Sequence, residues 1–149
     1  MRFFSWLWVL LLPFSAPVPV LAAAPAPVLV FQRTPCEGSC PVYTARVFAD
    51  GRVEYVGEYA VPVLGRRTLH LPAAQVAALL AEARRIHFEQ FKAVYRGTVA
   101  DVPGTVLTVQ LPGQFAKTVS VEEALPLPKL LRAFLTQVGG RLDPLAGLR

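Results

Sequence analysis

The chain has 149 residues, 54% of them hydrophobic, and its 15 basic and 10 acidic side chains give a formal net charge of +5. This length suits one domain with one core and excludes a second domain of ordinary size. Apart from two Arg pairs the basic residues are scattered, whereas nucleic-acid-binding proteins cluster Lys and Arg on one surface, so the charge pattern argues against a nucleic-acid partner.

The N-terminal segment has the organisation of a secretory signal peptide. Arg2 supplies a positive charge, Phe3 to Phe14 is almost wholly apolar, and small residues follow. Because proline is disfavoured directly after the cleavage site, we expect cleavage after Ala22 or Ala23. An uncleaved anchor is the alternative, but prolines interrupt the apolar stretch, and its unbroken run is shorter than the roughly 20 residues of a spanning helix. We predict a signal peptide over residues 1–23, a periplasmic or secreted product, and no membrane span after cleavage.

Strand signals begin soon after this segment. Residues 24–27 are an Ala/Pro spacer, more extended than folded. Val28 to Arg33 is a short apolar run that predicts a strand, and it leads into a turn with the only two cysteines of the chain, Cys36 and Cys40. We therefore place the start of the folded domain at residue 28.

The segment after the second cysteine predicts a β-hairpin. Asp50-Gly51 lies between two runs of alternating apolar and polar residues, which is a strong hairpin signal. A three-residue loop from Ala49 to Gly51 gives one apolar face and one face with paired charges, whereas a two-residue loop mixes the two kinds of residue on both faces. The cross-strand pairs predicted for the longer loop are Val47 with Val53, Ala45 with Tyr55, and Arg46 with Glu54.

A helix is predicted after the next strand. Residues 60–71 indicate a strand broken near Gly65, and Pro72 suits the first position of a helix. Apolar residues then recur at helical spacing up to about His87. These residues are Val76, Leu79, Leu80, Ala83 and Ile86. The pattern is typical of an amphipathic helix that lies on a sheet.

The remaining segments predict a second hairpin and a second helix. Residues 87–104 show no regular pattern, and we expect their aromatic side chains to pack beneath the loop. Thr105 to Leu111 and Phe115 to Val121 alternate around a Pro-Gly-Gln turn, which indicates a hairpin. Leu125 to Val138 predicts a closing helix that Gly139-Gly140 should stop.

The order of these elements indicates an α+β fold. Strands, a helix, strands and a helix follow one another, which favours a mainly antiparallel sheet of hairpins with two covering helices. We predict a single domain of this class over residues 28–149.

Three segments resemble the bacterial DUF6438 family of exported domains of unknown function. They are TPCEGSCPVYTARVFADGRVEYVGE from Thr34, VLGRRTLHLPAAQVAALL from Val63, and ADVPGTVLTV from Ala100. They follow one another in the expected order between Thr34 and Val109, and the cysteine-hairpin segment is the most specific of them. The resemblance implies a fold and an exported location, and it implies no reaction.

Cys36 and Cys40 are predicted to form a disulfide. They lie four positions apart with Gly38 between them, and in an oxidising compartment two cysteines this close tend to oxidise to each other. The chain-entropy estimate for so small a ring is about 2 kcal/mol of stabilisation. We expect a structural bridge that shapes the start of the hairpin.

A periplasmic thiol-redox or copper-binding protein is the alternative. Cys-x-x-x-Cys-Pro resembles the copper site of a group of thioredoxin-fold respiratory assembly proteins, and Cu(I) accepts two thiolates. That site also needs a histidine, for which His70 and His87 are the only candidates. Redox pairs usually lie at a helix N-terminus, and no helix is predicted to start here. We favour the structural bridge, with no metal and no cofactor.

Five residues are candidates for a binding surface. Tyr43 and Tyr55 belong to the first hairpin, and we expect the edge formed by this hairpin and the cysteine loop to contact a partner, because edge strands can pair with a partner strand. Tyr95, Arg96 and Asp101 lie in the longest irregular segment, where functional groups tend to gather. The sequence contains no nucleophile elbow, phosphate loop or dinucleotide fingerprint. We predict a domain without catalytic activity that binds an envelope protein or a component of the cell surface.

Overall fold

The computed structural model describes residues 24–123 and 125–149, so the predicted signal peptide lies outside the described residues. The seven strands are β1 (Leu29–Thr34), β2 (Val42–Val47), β3 (Arg52–Tyr59), β4 (Gly65–His70), β5 (Val94–Tyr95), β6 (Gly104–Val109) and β7 (Lys117–Glu122). The two α-helices are α1 (Ala73–Arg85) and α2 (Lys129–Leu142), and short 3-10 helices span Phe88–Gln90 and Asp143–Ala146. Neither α-helix is long and apolar enough to cross a lipid bilayer.

The seven strands form one sheet in the order β4-β3-β2-β1-β6-β7-β5. All neighbouring strands are antiparallel except β5, which runs parallel to β7. This arrangement confirms the predicted α+β fold with a mainly antiparallel sheet and two helices.

The register of the first hairpin is as predicted. Val47 lies opposite Val53, and the other two predicted pairs are also present. The amide of Gly51 donates to the carbonyl of Phe48 at 3.0 Å, and Gly51 has φ +91°. A Cβ at this position would lie 2.1 Å from the carbonyl oxygen of Leu71. Only glycine therefore fits the third position of this loop.

The second hairpin and the first helix are also confirmed. β6 pairs with β7 so that Leu107 lies opposite Val119. The first helix begins at Ala73, directly after Pro72. Of its predicted apolar residues Leu80 is half-buried, and the other four are buried.

Two segments differ from the prediction. Residues 60–64 form a turn rather than the first half of a strand, because Pro62 has no amide to donate and Val63 donates instead to Ala146 at 3.2 Å. The segment predicted to be irregular contains β5, whose residue Val94 lies opposite Ser120. Both segments are shaped by contacts with distant parts of the chain.

The two helices pack on the same face of the sheet. Side chains alternate along a strand, so every second residue points to that face. The buried apolar strand residues of the face are Leu29, Phe31, Tyr43, Ala45, Val47, Val53, Tyr55, Leu107, Val109, Val119 and Val121. They form one core with the buried side chains of α1 and α2. Intervening residues such as Val30, Arg46 and Thr108 lie on the other face and are partly or fully exposed.

The second helix corrects the prediction at both ends. It begins at Lys129 after Pro128, and it continues through Gly139-Gly140 to Leu142. Gly139 is buried against β1, where a Cβ would lie 3.2 Å from the guanidinium of Arg33. This glycine therefore serves close packing inside the helix and does not end it.

The two adjacent glycines of α2 should respond differently to alanine. A Cβ at Gly140 would meet no atom within 4 Å, so Gly140→Ala should stabilise the domain by up to about 1 kcal/mol, the helix-propensity gain of alanine over glycine. Gly139→Ala should lose that gain because the new methyl group crowds Arg33. Urea denaturation measures both variants, and an equal stabilisation by both would contradict the close contact at Gly139.

Candidate functional site

Arg33 lies where the pattern of the first strand calls for an apolar residue. Leu29, Phe31 and Arg33 share one face of β1, and this is the face that the helices cover. The sheet register places Arg33 opposite Tyr43 of β2 and Thr105 of β6. A row of three polar side chains therefore crosses the sheet next to the apolar core.

Two carboxylates from outside the strands contact this row of polar side chains. Arg33 donates from Nη2 to Asp143 Oδ2 at 2.6 Å and from Nε to Asp143 Oδ1 at 3.3 Å. Its Nη1 donates to Thr105 Oγ1 at 3.1 Å and to Glu123 Oε1 at 2.9 Å. We call Arg33, Tyr43, Thr105, Glu123 and Asp143 the Arg33 cluster. It joins β1, β2 and β6 to the residues that follow β7 and α2.

Tyr43 ties the same carboxylate to the second strand. Its hydroxyl donates to Asp143 Oδ1 at 2.5 Å, and its ring packs between Phe31 and Tyr55. Burial raises the pKa of Tyr43, and the hydrogen bond to Asp143 raises it further. The phenol therefore stays protonated and acts as a hydrogen-bond donor.

The charge of Arg33 is balanced at a partly buried position. The side chains of Arg33 and Asp143 are 25% and 24% exposed, and that of Glu123 is 47% exposed. Burial lowers the pKa of Arg33, but the hydrogen bonds and charge of Asp143 outweigh it, and the pKa is raised overall. Removing one partner of a fully buried pair costs about 3–5 kcal/mol, and partial exposure reduces this cost. The pair therefore anchors the end of α2 to β1.

The Arg33 cluster borders an open cleft between β7 and α2. The larger cavity of this cleft has a volume of about 930 Å³. Its apolar wall includes Leu125, Leu127, Leu135 and Leu148. A second cavity of about 330 Å³ extends toward the cysteine loop. Arg33, Glu123 and Asp143 border both cavities, so the cleft runs across the cluster.

The cysteine loop begins directly beyond the pair formed by Arg33 and Tyr43. Cys36 and Cys40 are joined by a disulfide, and Cys40 borders the smaller cavity. The amide of Glu37 donates to the carbonyl of Asp101 at 3.0 Å. The loop is therefore closed by a covalent bond and is also held to the segment before β6.

Three of the candidate binding residues line a separate groove. Tyr95, Arg96 and Asp101 border a cavity of about 580 Å³ beside β5. Arg96 forms an ion pair with Glu122 at 3.1 Å, and the same carboxylate accepts from the amide of Gly97 at 2.6 Å. Asp101 adopts a left-handed backbone with φ +57°. Residues 94–102 form most of this groove, and residues 34–35, 104 and 120–122 complete it.

The other two candidate binding residues do not lie on the surface. Tyr43 and Tyr55 are 0% and 1% exposed, because strand alternation directs both toward the helices. Tyr55 also donates to the carbonyl of Val63 at 2.8 Å, which satisfies its hydroxyl. β2 and β3 are inner strands, and the edges of the sheet are β4 and β5. The prediction of a hairpin-edge surface with these tyrosines is therefore wrong.

His70 lies away from the cysteines, and His87 lies at the surface. His70 pairs with Arg52, at the end of the sheet opposite to the cysteine loop. His87 is exposed and lies 3.5 Å from Glu89. Within residues 24–123 and 125–149 there is no group of three His, Cys, Asp or Glu side chains that could hold a metal ion.

Sequence reasoning missed the charged members of the cluster, Arg33, Glu123 and Asp143. One signal was present, because Leu29, Phe31 and Arg33 are in the same phase of strand alternation and a charge in a buried phase needs a partner. That partner is 110 residues away along the chain. No local pattern indicates so distant a contact.

Comparison with known proteins supports the resemblance seen in the sequence. A family described as a domain of unknown function, DUF6438, matches residues 27–140. The match includes β1 to β7 and most of α2, and it ends before Asp143. A search of curated proteins found no significant match. Because the family covers most of the chain, the protein belongs to the DUF6438 family.

Proposed function

We propose that this chain is an exported binding domain without catalytic activity, and that its cleft takes a segment of an envelope protein. The cleft carries the proposal, because a cavity of about 930 Å³ combines an apolar wall with the polar Arg33 cluster. Ligand sites in proteins have this size and this combination of apolar wall and a few polar groups. A polypeptide segment supplies both the apolar side chains and the backbone hydrogen bonds that such a cleft accepts.

Export is supported by the N-terminal sequence. Arg2, the apolar run from Phe3 to Phe14 and the small residues before Pro25 have the pattern of a cleaved signal peptide. A disulfide between Cys36 and Cys40 is in keeping with an oxidising compartment outside the cytoplasm.

A binding role is supported by the chemistry of the cluster. Arg33 directs its donors to Asp143, Thr105 and Glu123. Burial raises the pKa of Tyr43, which makes the phenol a poor proton donor in catalysis. Arg33, Glu123 and Asp143 border both cavities, where they can position a ligand through hydrogen bonds and charge. Tyr43 borders neither cavity and acts by holding Asp143 in place.

Photo-cross-linking tests the cleft as the binding site. Benzoylphenylalanine at Thr136, which borders the larger cavity, should give a discrete adduct with an envelope protein in living cells. The matched control is Gln137, the next residue of α2, which is exposed and does not border either cavity. Adducts are detected by a shift on denaturing gels and identified by mass spectrometry. Equal adducts from both positions, or an adduct from neither, would contradict the proposal.

The second candidate function is the thiol-redox or copper-binding one. The observation that favours it is the position of Cys40 at the border of the smaller cavity. Against it, the cysteine loop leads into β2 and not into a helix. A helix N-terminus is the usual means of lowering a thiol pKa in redox pairs.

The cysteine state separates the two functions. Protein purified from the periplasm should take up iodoacetamide only after reduction, and the reduced form should lose about 2 kcal/mol of unfolding free energy. Intact mass and urea denaturation measure these effects, and Ser39→Ala in the same loop serves as a control that should change neither. Thiols that alkylate before reduction, or copper that co-purifies, would favour the second function.

A further inference from the structure

The two carboxylate partners of the Arg33 guanidinium are held in place to very different degrees. On one side Asp143 accepts two hydrogen bonds from Arg33 and one from Tyr43. Asp143 also lies against the backbone of Gly139, where a Cβ would be 3.2 Å from its Oδ2. This carboxylate is fixed by its neighbours, and it cannot leave without breaking the anchor between β1 and α2.

On the other side Glu123 is a replaceable partner. It accepts one hydrogen bond, from Arg33 Nη1, and its side chain is 47% exposed. Its backbone amide is held by the carbonyl of Pro103 at 2.8 Å. The Glu123 side chain can therefore rotate into solvent while its backbone stays in place.

The position that Glu123 occupies lies within the cleft. Arg33 and Glu123 border both cavities, and the apolar wall of the larger cavity is adjacent. Arg132 also borders the larger cavity and forms no ion pair with any described residue. A ligand carboxylate at Arg33 Nη1 would thus lie in a cavity that Arg132 also borders and whose wall is apolar.

We propose, resting on the binding function above, that the cleft captures the C-terminal carboxylate of a partner polypeptide, which replaces Glu123 on Arg33. The carboxylate accepts from Nη1, and the preceding apolar side chains of the partner occupy the larger cavity. This is the recognition mode in which a chain end is read through its charge and its last side chains. The exchange keeps a carboxylate on Arg33 Nη1, while the Glu123 carboxylate moves into solvent and competes for the same position.

Two short peptides test the carboxylate requirement with the mature protein. The probes are N-acetyl-Ala-Ala-Leu-Leu with a free carboxylate and the same peptide with a C-terminal amide. Binding is followed by chemical shifts of cleft residues such as Leu127 and Thr136 in NMR titrations. The acid should bind about tenfold more tightly than the amide, because a charge-assisted hydrogen bond is roughly twice as strong as a neutral one.

Glu123→Gln supplies the second readout. Glutamine keeps the size of the side chain but removes the competing charge, so the variant should bind the acid several-fold more tightly and the amide with unchanged affinity. Glu58→Gln is the matched control, because Glu58 is exposed and borders neither cavity. It should leave the affinity for both peptides unchanged.

The outcomes distinguish the inference from the proposed function. Equal affinities for acid and amide, with shifts at cleft residues, would overturn carboxylate capture and leave the cleft as a binding site. No shift with either peptide would also overturn carboxylate capture, and the cross-linking at Thr136 would then decide the proposed function separately. Decanoate binding at these residues without peptide binding would assign the carboxylate to an acyl chain and overturn the assignment to a polypeptide end.

Discussion

An arginine on the helix-covered face of a sheet needs a carboxylate partner, and this requirement links the two ends of the domain. Arg33 continues the apolar row of β1, and Asp143 reaches it from the residue that follows α2. The helix must therefore extend to this point, and it must approach the sheet closely enough to require glycine at position 139. One ion pair thus accounts for the length of α2 and for its close approach to β1.

The same interaction shapes the cleft. Asp143 holds the last turn of α2 against β1. The start of α2 and the residues after β7 form a separate wall of the cleft. Tyr43 adds a donor from β2, and the disulfide of the cysteine loop closes the chain directly beyond it. The disulfide ring limits the motion of the cysteine loop. The ring therefore helps to hold in position the strand ends that carry Arg33 and Tyr43.

Local patterns predicted the parts of the fold that local interactions determine. Asp50-Gly51 and the alternation around it were sufficient for the register of the first hairpin, because turn geometry and facing side chains act over a few residues. The end of α2 could not be predicted in this way, since glycine usually stops a helix and here it serves a contact with a distant strand. Tyr43 and Tyr55 have amphipathic side chains, and only the assembled sheet shows that both are covered by helices. The candidate site was missed for the same reason, because its two central charges are 110 residues apart.

A double-mutant cycle on Arg33 and Asp143 tests the central claim most directly. Arg33→Met, Asp143→Asn and the double variant are compared with the parent protein by urea denaturation. Each single variant leaves one polar or charged group without its partner, so the double variant should lose less stability than the sum of the singles, by about 1–3 kcal/mol. Additivity within about 0.5 kcal/mol would show that the two residues do not couple, and it would contradict the account of the ion pair as the anchor of α2.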